Sequence, residues 1–350
     1  MRESGISFHR SLRGRLLLYL VLPVVVIFGA VILFSAANSF SVVGGHAQRE
    51  IEALAKKVAL EVEKENARAV MIARVMALSQ ENGLFGQRAE TIDMLRRVIE
   101  ANPFLTGGSF GYEPNADGQD RAYAGSAAAR ELGLAFDSTG RFIPYWFRDW
   151  SRGGELTLTP LVDMETSLYY AGARRQFNQT RESLPLVTEP YVYEGKMIVE
   201  QVFPIVREGQ FVGMAAVDRA LLDIGTLLNT IAEEQGVDIF LVSSRGNFIA
   251  TTSDLSLRTL PIDSTDYREL FTPFYQSRGI QQSVVAVDPQ DQADYYFTSA
   301  PIPTGGWMVV VRRSEAAIVG PIRNNILRAS GVALAGMLLI VALAQWLSSS

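Results

Sequence analysis

The 350-residue sequence has no cysteine and only two histidines. Without cysteine there is no disulfide, no thiol nucleophile and no Cys-ligated metal. His9 lies ahead of the first apolar run and His46 in the stretch just after it, which leaves little for a His-ligated metal or a His-dependent hydrolase. Basic charge is not in excess either. The 32 Lys+Arg and 37 Asp+Glu give a formal net charge of −5, with no basic footprint for nucleic acid. No cofactor, no metal and no nucleic-acid partner are expected.

Apolar length is what the sequence has in quantity. One uncharged run covers 16–34, and a second covers 332–347. A helix rising ~1.5 Å per residue needs about 20 residues to cross ~30 Å of hydrocarbon, so each run is long enough to span. Pro23 is tolerable in a membrane helix. Arg2, Arg10, Arg13 and Arg15 face one acid, Glu3, ahead of the first run. That asymmetry predicts a cytoplasmic N-terminus over 1–15, a first span over 16–36 and a second over 327–348. The region between them then lies outside the cytoplasm. Ser35-Ala36-Ala37 resembles a signal-peptide cleavage site, but the apolar run exceeds the ~7–15 residues of such peptides. It reads as a retained anchor.

After the first span, Ile51, Leu54, Ala55, Val58, Val62, Ala69, Ile72, Val75 and Met76 recur at helical spacing, with charges on other faces. The spacing predicts a stalk helix within 37–83, closed near Asn82-Gly83. Its stripe could pack on the domain, pair with a second subunit, or both. From about residue 104 short strands are expected. The clearest are 189–193, 196–206 and 211–217, with turns at Glu194-Gly195 and Glu208-Gly209 and a helix over 221–234. A second unit follows in the same order: a hairpin around Arg245-Gly246, a helix over 267–276, then strands over 282–287, 295–301 and 307–312. Strand runs with helices to one side imply an α+β fold.

Three stretches invite chemistry. Gly107-Gly108-Ser109-Phe110-Gly111 matches the nucleophile-elbow pattern, but no histidine follows it in the required order, so it reads as a bend and not as a hydrolase. Asn115 to Asp120 could be a calcium loop, but it lacks the distal Glu and reads as a solvated turn. The dense stretch is Arg141 to Trp150, with five aromatics and two arginines in ten residues. Tyr145 and Trp146 are expected to line a small-molecule pocket, with Arg141 and Arg148 beside them, Tyr169 on the next helical stretch and Tyr191 and Tyr193 on the meander. Tyr and Trp can hold a cationic group, and Arg can hold a carboxylate, so an amine or carboxylate metabolite is the expected ligand.

The order of these parts resembles the double Cache sensor domain of bacterial chemoreceptors, sensor histidine kinases, diguanylate cyclases and membrane-tethered phosphatases. Arg141 to Trp146, Glu189-Pro190-Tyr191 and the stretch Gly209 to Asp218 carry the resemblance, which extends over the whole chain. It implies a long N-terminal helix and two PAS-like units with antiparallel sheets, flanked by two transmembrane helices. A membrane-distal unit at 84–234 would bind ligand, and a proximal unit would occupy 235–326. It further implies a homodimeric, non-enzymatic sensor region in a bacterial inner membrane, with an effector beyond Ser350. Amino-acid-binding members carry an Arg closely followed by Trp-Tyr, and an Asp shortly after Pro-Tyr. Here the aromatic pair is displaced and reversed, and Tyr193 stands where that Asp would be. The anion for an α-amino group would have to come from elsewhere, with Asp163 and Glu200 as candidates.

Overall fold

The computed structural model describes Tyr19 and residues 22–193, 196–280 and 283–347. The N-terminal arginines and the Glu194-Gly195 turn lie outside the described residues. One helix, α1, runs unbroken from Leu22 to Ser79. Its first part carries exposed Val26, Ile27, Val31, Leu33 and Phe34. Among the described residues this is the one helix long and apolar enough to cross a membrane. Beyond it, the helical period of the sequence is spent inward. Ile51, Leu54, Val58 and Val62 enter one core, and Ala69, Ala73 and Met76 enter another. The expected stripe is therefore a core-packing face, with Val58 fully buried. Val75 departs from it and is exposed.

The two cores belong to two antiparallel sheets. The first contains β1 (Gly107–Tyr112), β2 (Pro144–Asp149), β3 (Glu155–Pro160), β4 (Leu186–Val187), β5 (Tyr191–Tyr193), β6 (Lys196–Arg207) and β7 (Gln210–Ala220). Its order is β3-β2-β1-β7-β6-β4, with β5 also on β6. The second contains β8 (Asp238–Val242), β9 (Phe248–Thr251), β10 (Ser283–Val287), β11 (Asp294–Ile302) and β12 (Trp307–Ser314), in the order β10-β11-β12-β8-β9. In both sheets the strand that opens the unit pairs with the strand that closes it, so the same topology is used twice. The α+β architecture of long helix and two antiparallel sheets is as expected. Glu208 and Gly209 close the β6–β7 hairpin with φ of 50° and 73°, the left-handed pair that suits a tight hairpin.

Helices α2 (Arg88–Ala101) and α1 cover one face of the first sheet, and α3 (Tyr170–Thr180) covers the other. Helix α4 (Leu221–Gln235) joins the sheets, and α5 (Arg268–Gln276) packs an aromatic core with Phe240, Phe248 and Phe297. Helix α6 (Glu315–Leu347) leaves the second sheet and runs back along α1. Where α1 passes between the sheets, a polar junction forms around the buried Asn66 and Arg219. Arg219 donates to Asn66 Oδ1 at 2.7 Å, and Asn66 donates to the Thr304 carbonyl at 3.1 Å. Glu63 accepts from the Thr304 amide at 2.8 Å and its hydroxyl at 2.7 Å.

Two local readings need correction. Gly107–Gly111 is part of a fully buried central strand, not a bend at its end. Its glycines make room for neighbours: a Cβ at Gly108 would lie 2.7 Å from Ile99, and one at Gly111 would lie 2.6 Å from Met164. The 115–120 loop is not a solvated turn. Arg88, buried on α2, bonds Asp117 at 2.8 Å and Asp120 at 2.6 Å and donates to the Gly140 carbonyl at 2.9 Å. The acids there satisfy a buried cation supplied from a distant part of the sequence.

Candidate functional site

Strand alternation decides which side chains meet. On β7, Met214, Ala216 and Asp218 face α3, while Ala215 and Val217 face α1 and α2. On β6, Ile198, Glu200 and Val202 share the α3 side. Glu200 stands directly opposite Asp218, and Asp218 stands opposite Gly107. Two acids are thus paired across adjacent central strands, 1% and 0% exposed. The gap over Gly107 holds them. A Cβ there would lie 2.8 Å from Asp218 Oδ2 and 2.9 Å from Tyr145 Oη.

Tyrosines enclose the pair. Tyr191 donates to Glu200 Oε2 at 2.6 Å, and the Glu200 amide donates to Thr188 Oγ1 at 3.0 Å. Tyr193 meets Tyr145, Tyr169 and Tyr191 edge-on at 5.3, 6.0 and 6.1 Å between ring centres. Tyr169 donates to the Val162 carbonyl at 2.6 Å. Neither carboxylate oxygen of Asp218 has a hydrogen-bond partner, and Ser109 Oγ on the same face has none. Among the described residues no cation lies within ion-pair reach of Glu200 or Asp218. Burial, then Asp218, pushes the Glu200 carboxyl well up, and burial pushes Asp218 up to about 6. Burial likewise raises Tyr145 and Tyr191, with the neighbouring acids adding to it.

The second sheet solves the same problem differently. Its buried Asp288 is paired with Arg312 and accepts from Tyr267 at 2.9 Å, while Arg312 also reaches Asp238 at 2.8 Å. An acid buried there carries its own cation. The first sheet's acids wait for one. A site with two carboxylates, several phenol rings and no internal positive charge can hold an ammonium group, which would bring both the missing charge and the missing donors.

Of the expected residues, Tyr145, Tyr169, Tyr191, Tyr193 and Glu200 converge here. Trp146 and Arg148 do not, because residues adjacent to Tyr145 and Phe147 on a strand point to the opposite face. Trp146 Nε1 donates to the Ile92 carbonyl at 3.2 Å against α2, and Arg148 donates to the Ile99 and Leu105 carbonyls. Asp163 is an exposed left-handed turn residue with φ of 51°. Arg141 lies further along the sheet, where it donates to the Tyr112 carbonyl at 2.6 Å, pairs with Glu165 at 2.8 Å and stacks on Tyr170 at 4.8 Å. Its Nη2 is buried without a partner. Sequence reasoning missed Asp218 as a site residue. The signal was an acid in a run of otherwise apolar strand residues, next to a strand with the same anomaly at Glu200.

No family model and no curated protein matches the sequence. Solved structures do match. The extracellular domain of a proposed histidine kinase, mmHK1S-Z3, shares 23% identity over 79% of this chain and 97% of that one, with a TM-score of 0.66. Methyl-accepting chemotaxis protein X shares 20% over 78% of this chain and 99% of that one, with a TM-score of 0.64. The ligand-binding domain of the Pseudomonas fluorescens chemoreceptor CtaA, solved with L-isoleucine, shares 15% over 81% and 98%, with a TM-score of 0.51. The chain has the fold of the extracellular sensor domains of histidine kinases and chemoreceptors, as the double Cache resemblance implied.

Proposed function

We propose that this chain is the sensor region of a membrane receptor and that it binds a small organic amine on the Glu200–Asp218 pair. The observation that carries the reading is the pair itself: two fully buried acids, ringed by tyrosines, with no cation of their own. Burying uncompensated charge is costly, and a ligand that removes the cost gains affinity from it. The likeness in fold to sensor domains supports the receptor reading. In it, residues 84–234 form the ligand-binding unit and 235–326 the unit nearer the membrane. Helices α1 and α6 both cross the bilayer and carry the change inward, as displacements of ~1–2 Å worth ~1–3 kcal/mol. Two chains pair through the outward face of α1, where Leu60, Met71, Val75 and Leu78 are exposed along one line.

An α-amino acid, the kind of ligand seen in CtaA, is the second reading, since Arg141 keeps a free Nη2. Its Nε is bonded to Tyr112, five residues along β1 from the residue opposite Asp218, roughly 17 Å at ~3.4 Å per residue. An amino acid separates its two charges by a single carbon, so it cannot bridge that span. An amine without an adjacent carboxylate fits better. Thermal-shift titration of the full chain in nanodiscs against primary amines, quaternary ammonium compounds, amino acids and carboxylates tests this. Amines should stabilise wild type and fail on Glu200→Gln and Asp218→Asn. Stabilisation by carboxylates alone would refute the reading.

A further inference from the structure

We propose a second ligand site at the junction of the two sheets, built for a monocarboxylate with an apolar body. A cavity of about 610 Å³ opens there, within the size range of small-molecule sites. Its walls come from four places: Trp150 at the end of β2, Lys196 and Met197 at the start of β6, Leu221 and Leu222 at the start of α4, and Arg258 in the loop after β9. The lining is mostly apolar. Trp150 and Leu222 are 58% and 68% exposed, an unusual pairing of large apolar side chains left to water around one cleft.

Two positive groups stand in this apolar setting. Arg258 lies over Gly225 of α4, where a Cβ would come within 3.1 Å of its Nη2. Its Nε is buried and has no acceptor, and none of its guanidinium nitrogens has a carboxylate partner among the described residues. A planar guanidinium held in place with open donors is the group that receives a carboxylate. Lys196 donates to the Arg148 carbonyl at 2.6 Å and sits 5.5 Å from the Trp150 ring centre, which leaves further N–H donors free. The acid of the lining is Asp223, and burial pushes its carboxyl up, which weakens it as an internal competitor for Arg258. A ligand carboxylate on Arg258, with Lys196 nearby, would place its apolar body on Trp150, Met197 and Leu222. Because the walls belong to both sheets, an occupant ties the strand ends of the first to the loop of the second. The site asks for the opposite charge from the Glu200–Asp218 pair, so the two are separable by ligand.

The test uses the full chain in lipid nanodiscs, with 3-phenylpropanoate as probe, its uncharged amide as control and empty nanodiscs as blank, read by saturation-transfer NMR. Wild type should bind the acid saturably and the amide at least about tenfold more weakly. Arg258→Ala should lose about tenfold or more for the acid with an unchanged melting temperature, and Arg258→Lys should recover part of it. Trp150→Ala should weaken acid and amide alike. Asp218→Asn should leave acid binding unchanged. Equal binding of acid and amide, full affinity in Arg258→Ala, or no saturable signal above empty nanodiscs would each overturn the proposal.

Discussion

Replacing Asp218 by Asn should make the unliganded protein more stable while abolishing amine binding. The folded state raises the Asp218 carboxyl from its ordinary 3.8 to about 6, first through burial. That is about two pH units, or ~3 kcal/mol against the ionised form at ~1.4 kcal/mol per unit. The sign follows from proton binding: between pH 3.8 and about 6 the folded state holds more protons than the unfolded one, so stability falls as pH rises through that window. The groups facing the carboxyl are Glu200 from β6, Tyr145 from β2, Tyr191 and Tyr193 from β5 and Tyr169 ahead of α3. None is a cation; burial is what raises the carboxyl, and Tyr145 and Glu200 act the other way. Asparagine has the same shape and removes the charge, while Tyr145 and Glu200 keep a side-chain oxygen to face. Desolvating its amide returns part of the gain, leaving a net of ~1–2 kcal/mol. At ~2–4 °C per kcal/mol, Tm should rise by ~2–8 °C at about pH 8 and change little at about pH 4. Melting curves of both proteins in nanodiscs at the two pH values, with and without amine, supply the measurement. A variant that melts below wild type at the higher pH, or a gain equal at both, would refute the reasoning.

Trp146→Ala should lower Tm and leave amine affinity within about twofold, because the indole packs on α2 and faces away from the acids. Arg88→Met should cost ~3–5 kcal/mol near neutral pH in a denaturation experiment, since Asp117 and Asp120 lose their buried partner. Met71→Glu should weaken crosslinking between neighbouring chains at unchanged Tm, whereas Val58→Glu should unfold the protein by burying an unpaired charge. A periplasmic reporter fused at residue 150 should be active and one after Ser350 inactive; the reverse would overturn the topology.

The repeating grammar of hairpin, helix and meander could be read from the sequence because it is local. Turn residues such as Glu208-Gly209 and apolar periods in α1, β6 and β7 report on neighbours a few positions away. Partner choice across long separations could not be read. Arg88 and Asp117 give no sign in sequence that they will meet, and the acidic loop therefore looked solvated. The direction of a side chain within a strand failed for a related reason. Arg141 to Trp150 is dense in aromatics, but a strand sends consecutive residues to opposite faces, so such a cluster is split between two cores. Tyr145 went to the acids and Trp146 to α2. The better mark of the site was not richness but misfit, an acid in each of two adjacent buried strands.

In the proposed receptor, the junction of Asn66, Arg219 and Thr304 limits what α1 can do as a transmitter. Sliding the helix by even one residue, ~1.5 Å, would exceed the slack of a hydrogen bond and strand a buried amide and guanidinium. Each orphaned group costs ~1–3 kcal/mol or more, which is as large as the whole coupling such a receptor has to spend. The junction therefore works as a mechanical index. A tilt about Asn66 would keep these bonds where a slip past it would break them, and the turn at Thr304 must travel with the helix. Arg219 follows Asp218 directly on β7, so the pivot sits one residue from the buried acids. That geometry opposes a piston on α1 alone. A lever that swings about Asn66 is the motion it favours, and its long arm is the apolar end of the helix.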